Sequence, residues 1–334
     1  MKPPSITRRA FLGGALAGAG ALGAAKLASA ARHVGGAQHL VAGHGANRIV
    51  GDVRTDDFDP YAYLTSFDGG RVSTMGDGRL LREYDLTAKD FSVEIAPGVS
   101  TTVWGLNDQV PGPTIRATEG DLVRINFVNG GTHPHTLHFH GFHAPEMDGV
   151  PGIGAGEIPP GGRTVYEFEA EPFGCHLYHC HATPLKRHIA KGLYGVYIVD
   201  PKGGRPPANE MVMMMNAFDT DFDGENEFYA VNTKPFAYIQ RPIRVRRDEL
   251  QRVYLVNITE FDPVNSMHLH ANFFDYYPTG TKLEPTEFTD TKMLCQGERG
   301  ILEFRYNKPG MFMFHAHQSE FAELGWSGMF EVVP

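Results

Sequence analysis

"RTVYEFEAEPFGCHLYHCH" (residues 163–181) aligns without a gap on "RGILEFRYNKPGMFMFHAH" (299–317) of the same chain. Working outward, "IRATEGDLVRINFVN" (115–129) aligns in the same way on "IRVRRDELQRVYLVN" (243–257), and "HTLHFH" (135–140) on "NSMHLH" (265–270). These runs are short, rich in Val, Ile, Thr, Tyr and Phe, and bounded by Gly and Pro. No convincing amphipathic helix of three or more turns separates them. That pattern predicts an all-β, sandwich-like architecture built twice. "PKGGRPPAN" (201–209), polar and rich in Pro and Gly, marks the break between the copies. The expected organisation is a first domain over residues 61–200, a linker over 201–208 and a second domain over 209–334.

Successive side chains on a strand point to opposite faces. In His179-Cys180-His181 the two imidazoles then share one face and the thiol takes the other. Likewise His138 and His140 share a face, and His135, at an odd offset, lies opposite. One side of the first domain thus offers four imidazoles, and the other offers His135 and Cys180. The second domain repeats only half of this. His268 and His270 match His138 and His140, and His315 and His317 match His179 and His181. Asn265, Ala316 and Leu324 stand where His135, Cys180 and His188 stood. Imidazoles suit copper, zinc, iron and nickel, and a His2Cys set with a weak axial group is the blue-copper arrangement. His188 supplies the second imidazole of that set, and Leu193 stands where a weak methionine ligand would be expected. A structural zinc site closes with four ligands and would leave most of these histidines unexplained.

Residues 1–30 read as lying outside the fold. Arg8 and Arg9 precede a Gly/Ala-rich apolar run that ends in Ala28-Ser29-Ala30, a small-x-small cleavage pattern. The paired arginines resemble a twin-arginine export signal, which implies a periplasmic or secreted protein exported already folded. A retained anchor is the alternative. The run is weakly apolar and broken by Lys26, short of the roughly 20 apolar residues that a spanning helix needs. No other stretch qualifies, so no membrane span is expected in the mature chain. Residues 31–60, with His33, His39 and His44 among glycines, read as a mobile N-terminal arm. Loss of residues 1–30 removes Lys2, Arg8, Arg9 and Lys26 and no acid, leaving 26 basic against 39 acidic residues. An acidic balance argues against a nucleic-acid partner. Three cysteines are too few for a disulfide-built fold.

The four His-x-His pairs, together with "VPGPTIRATEGD" (110–121), "MDGVPG" (147–152) and "IPPGG" (158–162), resemble the multicopper oxidase family. The arrangement is similar to its two-domain, laccase-like members with the blue site in the first domain. The resemblance covers nearly all of the mature chain and implies two tandem cupredoxin-like Greek-key domains. It also implies four coppers per chain: type 1 on His135, Cys180 and His188; type 2 on His138 and His268; and a type 3 pair on His140, His179, His181, His270, His315 and His317. The implied reaction takes electrons singly from a small-molecule or metal-ion reductant and reduces dioxygen to water at the trinuclear cluster. Asp148, in "MDGVPG", matches an acid that assists protonation in relatives, while a turn-shaping role is the plainer reading. Glu320 and Glu323 are weaker candidates. Two-domain relatives also imply a homotrimer with the cluster between chains.

Other signals are open or discounted. "DTDFDGENEFYA" (219–230) begins like a calcium loop but has Ala230 where a bidentate glutamate belongs, so a surface turn is expected. The alternate methionines of "MVMMMN" (211–216) read as core. His133 is the substitute ligand if the register slips by two. Cys175 and Cys295 are the remaining thiols; export permits a disulfide, and nothing in the sequence brings them together. The rival function is a copper nitrite reductase, since "HIAKGLYG" (188–195) is similar to its blue-copper loop. An electron carrier or copper store is a third reading.

Overall fold

The structure, a computed structural model, describes residues 52–334, so the expected signal and the first part of the arm lie outside the described residues. The first domain holds strands β1 (Arg71–Thr74), β2 (Leu80–Ala96), β3 (Val99–Leu106), β4 (Gly112–Thr118), β5 (Leu122–Asn129), β6 (His138–Phe139), β7 (Arg163–Glu169), β8 (Gly174–His179) and β9 (Tyr194–Asp200). They form two sheets, β1-β2-β5-β7 with β3 on β2, and β4-β9-β8-β6. The second domain holds β10 (Asn209–Phe218), β11 (Phe228–Val231), β12 (Ile243–Arg246), β13 (Gln251–Asn257), β14 (Val264–Leu269), β15 (Phe274–Pro278), β16 (Glu287–Thr289), β17 (Thr291–Cys295), β18 (Arg299–Phe304), β19 (Gly310–His315) and β20 (Ser327–Val333). Its sheets are β11-β10-β13-β18-β15-β16 and β12-β20-β19-β14-β17. Both domains are cupredoxin-like β-sandwiches, as the alternation predicts.

The repeat in sequence is a repeat in pairing. Parallel β2–β5 recurs as parallel β10–β13, and parallel β4–β9 as parallel β12–β20. His138 faces His179 across β6–β8, and His268 faces His315 across β14–β19. Asn129 and its counterpart Asn257 do the same job: each amide donates to the carbonyl at the neighbouring strand end, Ile158 and Leu294 respectively. Equivalent residues make equivalent bonds because the ladder register is set locally by the ungapped runs.

Burial separates the two copies. In β5 every second residue, Val123, Ile125 and Phe127, is buried, so one face is covered. Every residue of β13 is buried. Val253 and Leu255 enter the core of the second domain, whereas Tyr254 and Val256 enter a separate core between the domains. Met211, Met213 and Met215 of β10 likewise join the second-domain core, while Val212 and Met214 join the shared one. The first domain contributes Cys175, Leu177, Val196 and Ile198 to that shared core.

Residues 52–60, the end of the expected arm, pack against the second domain. Asp57 pairs with the Lys234 ammonium at 2.7 Å, and Lys234 is 1% exposed. The Tyr238 hydroxyl donates to the Pro60 carbonyl at 2.9 Å, just where helix α1 (Pro60–Leu64) begins. An otherwise unpaired ammonium buried between domains would be costly, so this segment acts as a strap. Among the described residues no helix is long and apolar enough to cross a membrane.

Candidate metal centres

Cys180 follows the end of β8, His135 bridges to Ile158, and His188 lies in helix α2 (Leu185–Ala190). The Cys180 sulfur is 3.2 Å from Nδ1 of His188 and 3.9 Å from Nδ1 of His135, and the two Nδ1 atoms are 3.2 Å apart. All three residues are buried. The Thr136 N–H donates to the sulfur at 3.3 Å, and the Cys180 N–H donates to the Leu193 carbonyl at 2.9 Å. Burial pushes the thiol up to about 11 and both imidazoles down to about 4. Near neutral pH the metal-free site therefore holds two neutral rings and a thiol, one proton away from a His2Cys donor set. Leu193 is fully buried and has no ligating atom in its side chain.

The remaining imidazoles gather in two sets. In the first domain the His138 ring lies 5.0, 5.2 and 5.4 Å from those of His140, His179 and His181. In the second the His268 ring lies 5.0, 5.4 and 5.3 Å from those of His270, His315 and His317. Backbone carbonyls fix the tautomers. Nδ1 of His179 donates to the Cys180 carbonyl at 2.9 Å, and Nδ1 of His315 to the Ala316 carbonyl at 2.6 Å. Nδ1 of His138 and His268 face the carbonyls of Asp148 and Asp290 at 2.7 and 3.0 Å. Each of these rings is left with an Nε2 lone pair facing the cluster. Nε2 of His140 and His179 are 3.3 Å apart, and Nε2 of His270 and His315 are 2.8 Å apart. Ring nitrogens this close can share a proton or hold a cation between them, and imidazole is a borderline donor that copper accepts well. His140 differs on its outer side, where Nη1 of Arg299, from the second domain, lies 3.3 Å from its Nδ1. Hydroxyls brace the strand ends in both copies. The His181 N–H donates to the Thr136 hydroxyl, and the His317 N–H to the Ser266 hydroxyl, both at 2.8 Å.

An Asp148 carboxylate oxygen lies 3.1 Å from Nδ1 of His138 and 3.6 Å from Nε2 of His143. Gly149 permits this, since its φ is +66° and a Cβ there would collide with the Leu137 carbonyl. Asp290 is the second-domain counterpart, a residue that sequence reasoning missed. Asp148 follows its His-x-His pair by eight residues and Asp290 by twenty, so no common spacing reveals the match. Glu320 and Glu323 are exposed at the two ends of a short helix, away from any of these contacts. His133 does not join the sulfur set but stacks on Trp104. Cys175 is a buried free thiol, pushed up to about 12, and Cys295 is an exposed free thiol. Asp219, Asp221 and Asp223 accept backbone N–H groups of their own loop, as a surface turn would.

The folded architecture and the duplicated donor sets define a two-domain cupredoxin-like metalloprotein. Profiles described as "Multicopper oxidase" match residues 87–204 and 204–334. A solved structure described as a multicopper oxidase superposes with a TM-score of 0.82 at 59% identity, covering 83% of this chain and 98% of that one. The chain belongs to the multicopper oxidase family. A blue copper oxidase from Nitrosomonas europaea superposes with a TM-score of 0.68 at 29% identity, over 75% of this chain and 86% of that one. A copper-containing nitrite reductase of Neisseria meningitidis is 28% identical over 250 residues, 68% of this chain and 62% of the relative. The match thus spans about three-fifths of that curated relative's length.

Proposed function

We propose that this chain is a laccase-like multicopper oxidase. It takes electrons one at a time from a small-molecule or metal-ion reductant and reduces dioxygen to water. Four coppers per chain would supply the redox chemistry: one held by His135, Cys180 and His188, one by His138 and His268, and two by His140, His179, His181, His270, His315 and His317. The protein's own part is to hold Nε2 atoms unprotonated and aimed inward, through the carbonyl partners of His138, His179, His268 and His315. Asp148, bonded beside His138, is placed to pass protons toward reduced oxygen. Cys180 joins the two centres by covalent chain, since His179 and His181 flank it.

The duplicated imidazole sets carry this reading over nitrite reduction. A reductase with one three-imidazole catalytic copper leaves His140, His181 and at least two second-domain histidines without work. We further infer a homotrimer whose clusters assemble between chains. Among the described residues no ring contact or close donor group joins the two imidazole sets within one chain. Exposed apolar side chains occur in both domains, Phe142 and Ile153 in the first, Met293 and Met311 in the second. Such patches are normally covered by a partner. Export by the arginine-paired segment, to the periplasm or beyond, completes the proposal. Copper content per chain, with oxygen uptake on a phenolic donor, is the test. One copper pair per chain with nitrite turnover would overturn it in favour of the reductase.

A further inference from the structure

The imidazoles of the sulfur-containing set are almost closed to solvent. His135 is 0% and His188 2% exposed, and Nε2 of His135 is enclosed without a hydrogen-bond partner. At most one ring edge, that of His188, touches solvent, and the rest of the site lies behind packed side chains. The layer over both rings is an indole. Trp104 lies in β3, where its backbone N–H donates to the Lys191 carbonyl at 2.7 Å, tying the strand to the chain that follows α2. Its ring sits 4.9 Å from that of His188 and 5.3 Å from that of His135. Toward solvent the half-buried ring of His133 stacks on it at 4.5 Å, and the exposed Arg187 guanidinium lies over it at 5.2 Å.

We propose that Trp104 is the bridge by which electrons enter, and that His133 and Arg187 seat an aromatic donor bearing an anionic group, such as a hydroxybenzoate. This rests on reading His135, Cys180 and His188 as the type 1 copper site. Electron transfer weakens steeply across gaps, and the chain donor–His133–Trp104–His188 is a run of rings in van der Waals contact. Cations stand beside this run of rings. Helix α2 and its cap present Lys186, Arg187 and Lys191 within six residues, on a chain whose net charge is −9. The two lysines are held in place, Lys186 over the Phe261 ring at 4.4 Å and Lys191 over the Phe222 ring at 3.6 Å, both rings from second-domain loops. The rim also carries carboxylates that keep their charge: Asp90 accepts from Thr132, Glu157 accepts the Thr183 N–H at 2.9 Å, and Asp219 lies near Lys191. Arg187 is thus the cation that faces the stacking surface, and a guanidinium binds a carboxylate in a planar, bidentate fashion. In the step itself the phenol would give up one electron, which a copper held by His135, Cys180 and His188 would accept in going from +2 to +1. The phenolic proton goes to solvent and a phenoxyl radical departs; Trp104 conducts and is unchanged.

The test uses the full chain with syringate as the anionic probe and 2,6-dimethoxyphenol as its neutral counterpart. In metal-free protein, syringate should quench part of the indole emission, and W104F should abolish that quenching. Trp326, the other tryptophan, is fully buried in the second-domain core and does not report on this surface. R187Q should weaken syringate binding about threefold to fivefold and weaken that of the neutral phenol less. In copper-loaded protein mixed with donor without oxygen, W104F and W104L should keep the blue absorption while it bleaches at least about tenfold more slowly. H133A, a milder change at the rim, should slow bleaching by both phenols. Unchanged bleaching in W104L and H133A overturns the bridge. Syringate that leaves the metal-free emission untouched overturns the seat, whatever the copper site proves to be. Absence of a blue band in the wild type would instead count against the type 1 reading itself.

Discussion

The Thr136 hydroxyl accepts the backbone N–H of His181 at 2.8 Å, fastening the segment that carries His135, His138 and His140 to the one that carries His179, Cys180 and His181. Thr136 is fully buried, so its loss leaves that N–H without a partner and without water. Thr136→Val should cost about 1–3 kcal/mol of stability. It should also lower trinuclear copper content. Thermal melting and metal analysis of the purified variant check both, and an unchanged melting temperature would refute the role.

Cys180 is the one thiol placed against two imidazoles. Cys180→Ser should abolish the intense blue thiolate–copper absorption and leave the trinuclear copper bound. Oxygen reduction with an external donor should drop by orders of magnitude. Persistence of the blue band in this variant would show the site to be elsewhere.

Leu193 is buried, and its carbonyl accepts the Cys180 N–H; we infer that it takes the place of a weak sulfur ligand. Leu193→Met nearly conserves volume and should cost under about 1.5 kcal/mol. The added thioether should favour oxidised copper and lower the type 1 potential. A redox titration that shows no change, or a rise, would place Leu193 off the axial position.

The metal-free sulfur site has its rings near 4 and its thiol near 11. Between about pH 5 and 10 only the thiol has a proton to lose, so metal binding should release about one proton per ion. Apparent affinity should then rise about tenfold per pH unit across that window. Calorimetry in buffers of different ionisation enthalpy measures this directly. The rings act on folding with the opposite burden. Their folded values lie below the unfolded value of about 6.5, so unfolded chains take up protons that the folded state refuses. Stability of the metal-free protein should fall as pH drops from about 6.5 to about 4. Melting temperatures across that range will show it.

If clusters form between chains, two inactive variants should rescue one another. One carries His138→Ala and His140→Ala, the other His315→Ala and His317→Ala. Mixed three-membered rings keep one interface made of two unaltered halves, so about a third of the wild-type activity should return. Mixed assemblies with no more activity than either parent would locate each cluster within a single chain.

Much of this molecule is written at short range. The period-two alternation of "LVRINFVN" (122–129) sets the strand and its buried face, and the ungapped repeat sets the second copy. Parity alone separates Cys180 from His179 and His181, because side-chain direction on a strand depends only on the count of residues. Other features exist only once the chain is folded. Tyr254 and Val256 are buried although their strand already has an inward face, because a second domain covers the other side. Asp290 reaches His268 through a loop whose length differs from that of Asp148, and the loop residue His133 packs its ring, tilted, against Trp104 of β3. The sequence by itself determined the strands, the duplication and the residues able to bind metal, since these follow from local periodicity and spacing. The tertiary structure decided which imidazoles share a centre, which carbonyls fix their tautomers and which ring shields the sulfur site. Those depend on contacts between segments far apart in the chain, which no local count of residues contains.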